Sequence, residues 1–201
     1  MCRPYGSDRQ SEVSVVRQTL KKEMGLTIAE LNNDQAQLEG GDVLFTGQEI
    51  IVGISTHTNE AGAQSVARAF PEYPTTIVAV PSPLTCLKDA VCMAGVNVMA
   101  VGNSDAARRI FKSIGEVASS NYKVLYLAEP IAASLLYVNG CLMHYDQTMI
   151  PETCQLFENK IDYPRYPLSL PVLHNHGAPL HKLALLSGRV RNQRHIVSTM
   201  P

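Results

Sequence analysis

Short apolar runs alternate with amphipathic stretches along this chain, and those two periodicities place most of its elements. Ser7-Asp8 offer N-cap oxygens to a helix predicted over Glu12 to Glu23, with Val13, Val16, Leu20 and Met24 on one face. Met24-Gly25 is its stop. Leu26 to Leu31 alternates as a strand does, and Asn32 to Ala36 reads as a polar turn. The runs Asp42 to Thr46 and Ile50 to Ile54 flank a tight turn and predict a β-hairpin. Asn59 to Ala69 has helical spacing (Ala63, Val66, Ala67, Phe70), and Thr75 to Val80 is a β-branched strand.

The same order then returns. Val96 to Val101 predicts a strand, Ser104-Asp105 cap a helix through Ala106, Ile110, Ile114 and Val117, and Val124 to Leu127 predicts another strand. Leu135 to Val138 and Cys141 to His144 make a further hairpin, followed by a helix over Pro151 to Lys160. A recurring strand, strand, helix, strand order argues for an α/β domain of ββαβ units rather than a doubly wound sheet. Beyond Tyr163, Pro164, Pro167, Pro171 and Pro179 exclude a long helix or central strand. Arg189 to His195 reads as a solvated basic tail.

Composition narrows the class. The chain has 201 residues, 45% hydrophobic and 17% charged, enough for one well-cored domain. Seventeen basic against 18 acidic residues leave a formal charge of −1, which argues against nucleic-acid and membrane-surface partners. The apolar runs, such as Ile131 to Val138, are too short for a bilayer, so a cytoplasmic location is expected. Five scattered cysteines, odd in number and without a CxxC pair, fit reduced thiols better than disulfides.

Leu38-Glu39-Gly40-Gly41-Asp42 followed by Val43-Leu44-Phe45-Thr46-Gly47 carries the chemical signal. Paired glycines admit a close backbone approach, and a carboxylate beside them can hold a guanidinium by two hydrogen bonds. The stretch resembles the motif of guanidine-modifying enzymes, the arginine deiminase superfamily, and in particular the dimethylarginine dimethylaminohydrolases. Arg3-Pro4, Arg9 and Glu12-Val13, then Gly53 to Asn59, Leu87-Lys88, Met93 to Gly95, Gly102 to Ser104 and Ile131 to Ala133 are similar to further family segments.

The resemblance implies a five-bladed α/β propeller of ββαβ modules around a substrate channel. It implies a partial one here, with the amino-terminal part missing: an incomplete propeller domain over residues 1–185 and a divergent, disordered tail over 186–201. The implied reaction is hydrolysis of asymmetric dimethylarginine or monomethylarginine to citrulline and a methylated amine, within arginine metabolism and nitric-oxide regulation. It runs through a cysteine thiolate and a histidine acid/base, without a cofactor or metal.

The implied positions are occupied unusually. Cys86 stands where the family has its histidine, ahead of Leu87-Lys88. Tyr166 to Ser169, laid without gaps, leads to Leu180-His181-Lys182 and sets Lys182 on the nucleophile, and a one-residue slip sets His181 or Leu183 there. No cysteine follows Cys154, so the expected cysteine and histidine are both lacking. Arg9 corresponds to the arginine that grips the substrate carboxylate, Glu39 to a guanidinium-holding carboxylate, and His57 replaces a second substrate-binding arginine. A substitute dyad of Cys86 with His57, His144 or His181 finds no support in spacing. Small buried thiols are the plainer account of Cys86 and Cys92. An exposed loop is the plainer account of His174, His176 and His181, set against a zinc site, and turn-amide bonding is the alternative role for Asp42. Three readings follow: a divergent hydrolase acting on methylarginine, a non-catalytic binding or interaction module, and an incomplete gene product.

Overall fold

The computed structural model describes residues 1–4 and 7–186, the side chains of residues 7–9 excepted. Among them the ββαβ order occurs three times, each time as a small three-stranded sheet with an antiparallel first pair and a parallel second pair. The first unit has β1 (Val43–Phe45), β2 (Ile50–Ile54), α2 (Glu60–Ala69) and β3 (Thr75–Ala79), preceded by α1 (Ser7–Gln18). The second has β4 (Val91–Gly95), β5 (Val98–Val101), α3 (Asp105–Val117) and β6 (Lys123–Tyr126). The third has β7 (Leu136–Val138), β8 (Cys141–Tyr145), α4 (Pro151–Lys160) and β9 (Arg165–Leu168), followed by α5 (Pro171–Asn175).

The predicted cap at Ser104 forms, accepting from the Ala107 N–H, and Asn59, read only as the start of a helical spacing, accepts from the Gly62 N–H, so each of these two helices starts where a side-chain oxygen satisfies an orphan amide. Pro167 lies in β9, which pairs on one side only, so its missing N–H costs no ladder bond. Two expectations change. Leu26 to Leu31 is not a strand: it finds no strand partner among the described residues, and at its end the Leu31 carbonyl accepts from the Arg3 guanidinium. β4 escapes the sequence pattern because its residues are buried on both faces and do not alternate. Asn97, at a φ of 57°, closes its hairpin. The tail expected from residue 186 lies, from 187 onward, outside the described residues. No helix among the described residues is long and apolar enough to cross a membrane.

Each unit opens on a 3-10 turn, at Gly40–Asp42, Leu87–Asp89 and Pro130–Ala133, and a fourth follows α5 at Leu180–Lys182. The first packs against the second and the fourth, and the second against the third, so the turns gather at one place while the helices lie away from it. The cores lie behind them, one around Leu44, Ile51, Leu87 and Ile110 and another around Leu135, Leu142, Tyr145 and Phe157.

His144 lies in the latter region, with Nδ1 against the Tyr145 carbonyl, its ring edge-on to Phe157, and Nε2 buried without a partner. Burial lowers its pKa, and Arg165 adds to this. The unfolded chain therefore binds a proton here before the native one does, and stability present above the ordinary histidine pKa is lost as pH falls below it. His181 is shifted the same way by burial. We expect the thermal midpoint to fall steadily from pH 7.5 to 5.5, ahead of carboxylate protonation, and the slope to flatten in His144→Gln; a flat profile in the native chain contradicts this.

Candidate active site

Cys86 is the N-cap of the Leu87–Asp89 turn, and Asp89 sits three residues on. That spacing makes a capping box, in which the Cys86 N–H donates to Asp89 Oδ2 at 3.1 Å. The Thr85 hydroxyl donates to the same oxygen. From the neighbouring unit, Asp42 Oδ1 accepts the Leu87 N–H at 2.9 Å while its Oδ2 accepts the hydroxyls of Ser55 and Thr58. Asp42 thus bonds turn amides and hydroxyls, and in doing so pins the turn that carries Cys86.

His181, 95 positions along the chain, faces this turn: its Nε2 is 3.8 Å from Cys86 Sγ and 3.6 Å from Asp89 Oδ1. Its Nδ1 is 3.1 Å from Ser134 Oγ, which also accepts the His181 backbone N–H. Cys86 and His181 are both buried, and Asp89 is partly so. Lys182 reaches the same place, since a Cβ built on Gly41 would lie 3.9 Å from its Cε and 2.7 Å from Cys86 Sγ.

Electrostatics follow from that burial. Desolvation pushes the Cys86 thiol up to about 12, with the Asp89 charge adding and Lys182 opposing. Desolvation pushes the His181 imidazole down to about 4 against the pull of Asp89. Burial alone would raise Asp89, but the Thr85 hydrogen bond and the nearby His181 and Lys182 hold its carboxyl below the ordinary range. At neutral pH the sulfur and the imidazole rest uncharged beside a carboxylate.

These positions correct the expectation that the chain lacks a cysteine and a histidine for its chemistry. The two meet from distant segments, Cys86 on the earlier one and His181 on the later one. His181 is buried, not part of an exposed histidine loop; His174 instead pairs with the Tyr145 hydroxyl, and His176 is exposed. Lys182 lines the site as a cation. Glu39 is half-buried just before the Gly40–Asp42 turn, its N–H donating to Thr58 Oγ1. His57 is half-buried in the turn that closes on Asp42, its N–H donating to Ser55 Oγ. Arg9 lies in α1, and its side chain is outside the described residues. Cys92 and Cys154 are buried core thiols, as composition suggests.

The sequence carried one unread signal, the Cys86-x-x-Asp89 capping spacing ahead of the apolar run from Val91. Nothing local announces His181, because Ser134 and Cys86, which hold and face it, come from distant segments.

Gly41 explains itself here: the close approach it permits is to Cys86 rather than to a ligand. Gly41→Ala is expected to push Cys86 off His181, lowering any Cys86-dependent activity at least tenfold and destabilising the fold by about 1–3 kcal/mol. Unchanged thiol reactivity and melting temperature would refute it.

The sequence profile of arginine deiminase matches residues 5–84. DDAH2 of Homo sapiens is 32% identical over 191 residues, covering 92% of this chain and 66% of its own length. DDAH2 of Bos taurus is 32% identical over 198 residues, covering 94% and 69%. The chain belongs to the DDAH-like family of guanidine-modifying proteins.

Among solved DDAH-like folds, DDAH from Pseudomonas aeruginosa, a cysteine-to-serine mutant complexed with citrulline, superposes with a TM-score of 0.68 at 17% identity. The superposition covers 84% of this chain and 63% of that one. The N-terminal domain of the cyanobacterial arginine dihydrolase ArgZ, bound to substrate, gives 0.69 at 16% identity over 92% of this chain and 69% of its own. This DDAH-like chain therefore spans about two thirds of the length of these relatives.

Proposed function

We propose that this protein takes a small guanidino compound of the methylarginine class and hydrolyses it, slowly, to citrulline and a methylated amine, with Cys86 as nucleophile and His181 as acid/base. The carrying observation is the 3.8 Å approach of Cys86 Sγ to His181 Nε2. The thiol proton passes to Nε2 as sulfur bonds to the guanidinium carbon. Nε2 returns that proton to the departing amine, whose C–N bond breaks to leave a thiouronium on Cys86. Water then adds to the same carbon with Nε2 taking its proton, the C–S bond breaks, and the proton goes back to sulfur as citrulline leaves. No cofactor takes part.

Slowness follows from the uncharged resting pair and from Lys182, whose charge opposes a guanidinium. A seated cation favours the thiolate in turn, so the substrate helps to activate its own nucleophile. Glu39 and Arg9 are assigned to the guanidinium and the carboxylate of the substrate, with His57 beside them. The three repeated units support placing residues 1–185 within a partial five-bladed α/β propeller.

Purified protein with asymmetric dimethylarginine should release citrulline above the buffer rate. Saturable binding without citrulline would instead favour a non-catalytic module, a second reading that the neutral pair and Lys182 specifically support. Neither binding nor turnover would end both.

A further inference from the structure

The loops that leave the carboxyl ends of β3, β5 and β6 converge on a cavity of about 340 Å³, the size of a small-ligand site. That is the end of parallel strands at which α/β folds seat small molecules. Pro83 and Leu84 come from the first loop, Ala106 from the second and Pro130 from the third. Asn103 and Ser104 also border it, with their polar atoms turned elsewhere: the Asn103 amide bonds the Ala128 carbonyl and Arg108, and Ser104 Oγ caps α3. Asp105 and Arg109, both exposed, border it with opposite charges. Much of the wall is therefore apolar.

Asp89 belongs to two places at once. It borders this cavity, and its Oδ1 lies 3.6 Å from His181 Nε2. Cys86 Sγ is 3.8 Å from the same nitrogen. In the hydrolysis proposed above, Nε2 hands its proton to the departing nitrogen across a hydrogen-bond distance of about 3 Å. That nitrogen therefore sits beside Asp89. It is positive from the moment it takes the proton until its C–N bond breaks, and a carboxylate there favours it. We infer that the cavity beyond Asp89 receives the substituent on the departing nitrogen, so that the preferred substrates are guanidino compounds with N-alkyl groups longer than methyl. The inference rests on Cys86 and His181 as the reacting pair.

The first carbon of such a group lies alongside Asp89, and later ones reach Pro83, Leu84, Ala106 and Pro130. Each further methylene removed from water should improve kcat/KM roughly three- to fourfold until the cavity is filled. The covalent steps do not change with length. The same C–N bond breaks, and propylamine or butylamine leaves in place of methylamine.

The test follows citrulline release by the full chain from Nω-methyl-, Nω-propyl- and Nω-butyl-L-arginine. The same compounds are titrated calorimetrically into Cys86→Ser, which lacks the nucleophile. Butylarginine should exceed methylarginine at least about tenfold in kcat/KM, and in affinity for Cys86→Ser. Ala106→Leu, which fills the cavity, should lower that preference about tenfold. Gly102→Ala lies on the same wall and adds a methyl that meets only ordinary contacts, the nearest at 3.5 Å, so it folds if Ala106→Leu does not; it should lower the preference about two- to threefold. Turnover of methylarginine with slower turnover of the longer compounds overturns the inference and leaves hydrolysis standing. No turnover, with binding that strengthens with chain length and loses that gain in Ala106→Leu or Gly102→Ala, ends hydrolysis and keeps the cavity as an alkylguanidine site. A butyl preference undiminished in both variants overturns the inference, as does binding indifferent to length. Neither binding nor turnover ends both.

Discussion

Cys86→Ser should bring citrulline release from asymmetric dimethylarginine down to the uncatalysed rate, while the melting temperature moves by no more than a degree or two. Serine keeps the size and the cap position of residue 86 but offers an alcohol far less acidic than a thiol, and a nucleophile has no partial substitute in a covalent route. His181→Gln should cost about 10²–10⁴-fold, the ordinary worth of a positioned acid/base, because glutamine can still bond Ser134 yet cannot carry a proton. The two losses should not add, since both groups serve one proton transfer. Lys182→Met separates the roles of that cation: easier guanidinium entry should lower KM, while a less favoured thiolate lowers kcat. The double change Cys86→His, Lys182→Cys places a histidine and a cysteine where the resemblance implies them and should raise turnover above that of the native chain. Citrulline release that persists undiminished in Cys86→Ser would place the reactive sulfur elsewhere.

The architecture was legible where side-chain periodicity answers to a single environment. α2 and α3 each have one buried face, and their spacing, with the Ser104 cap of α3, was readable from the chain alone. The ββαβ order was readable because each unit repeats the same sequence of environments. β4 was not, since burial on both faces erases alternation. Leu26 to Leu31 alternates but finds no strand to pair with, and pairing is a tertiary fact.

The site divides along the same line. Glu39, Gly41 and Asp42 fall in one contiguous motif and were recognisable as such, although Gly41 proves to make room for Cys86. Positional comparison pointed to Cys86 and Lys182, which both line the site, but it reads residues one at a time. It could not report that residue 181, a step before the aligned position, turns its imidazole inward. That orientation is set by Ser134, 47 positions away, and by the turn that carries Cys86 and Asp89. A dyad assembled from two distant segments leaves no spacing to detect.

Glu49→Ala should be the most destabilising single change, about 3–5 kcal/mol, because this carboxylate ties two units together from inside. Glu49 is fully buried in the β1–β2 connection. Its Oε1 accepts the Tyr122 hydroxyl at 2.6 Å and the Ser120 N–H at 3.1 Å, and its Oε2 accepts the Thr76 hydroxyl at 2.7 Å and the Ser119 N–H at 3.1 Å. Thr76 belongs to the first sheet and residues 119–122 to the α3–β6 connection of the second unit, so one side chain answers donors from both. Burial alone would raise its pKa; the hydrogen bonds from Tyr122, Thr76, Ser119 and Ser120 outweigh that and hold it low. Its folded pKa is therefore depressed, so its stabilisation is present above the unfolded carboxylate value and lost as pH falls through the folded one. Alanine would leave two backbone N–H groups and two hydroxyls without their acceptor, each costing up to about 1–3 kcal/mol before relaxation or water entry. Glutamine, which keeps the shape but turns an amide N–H₂ toward donors, should fall between. For a chain of this size the alanine variant's melting temperature should drop by roughly 6–15 °C, measured by circular dichroism alongside urea unfolding. A loss under about 1 kcal/mol would mean that water replaces the carboxylate at little cost, and that the two units hold together by their apolar contacts alone.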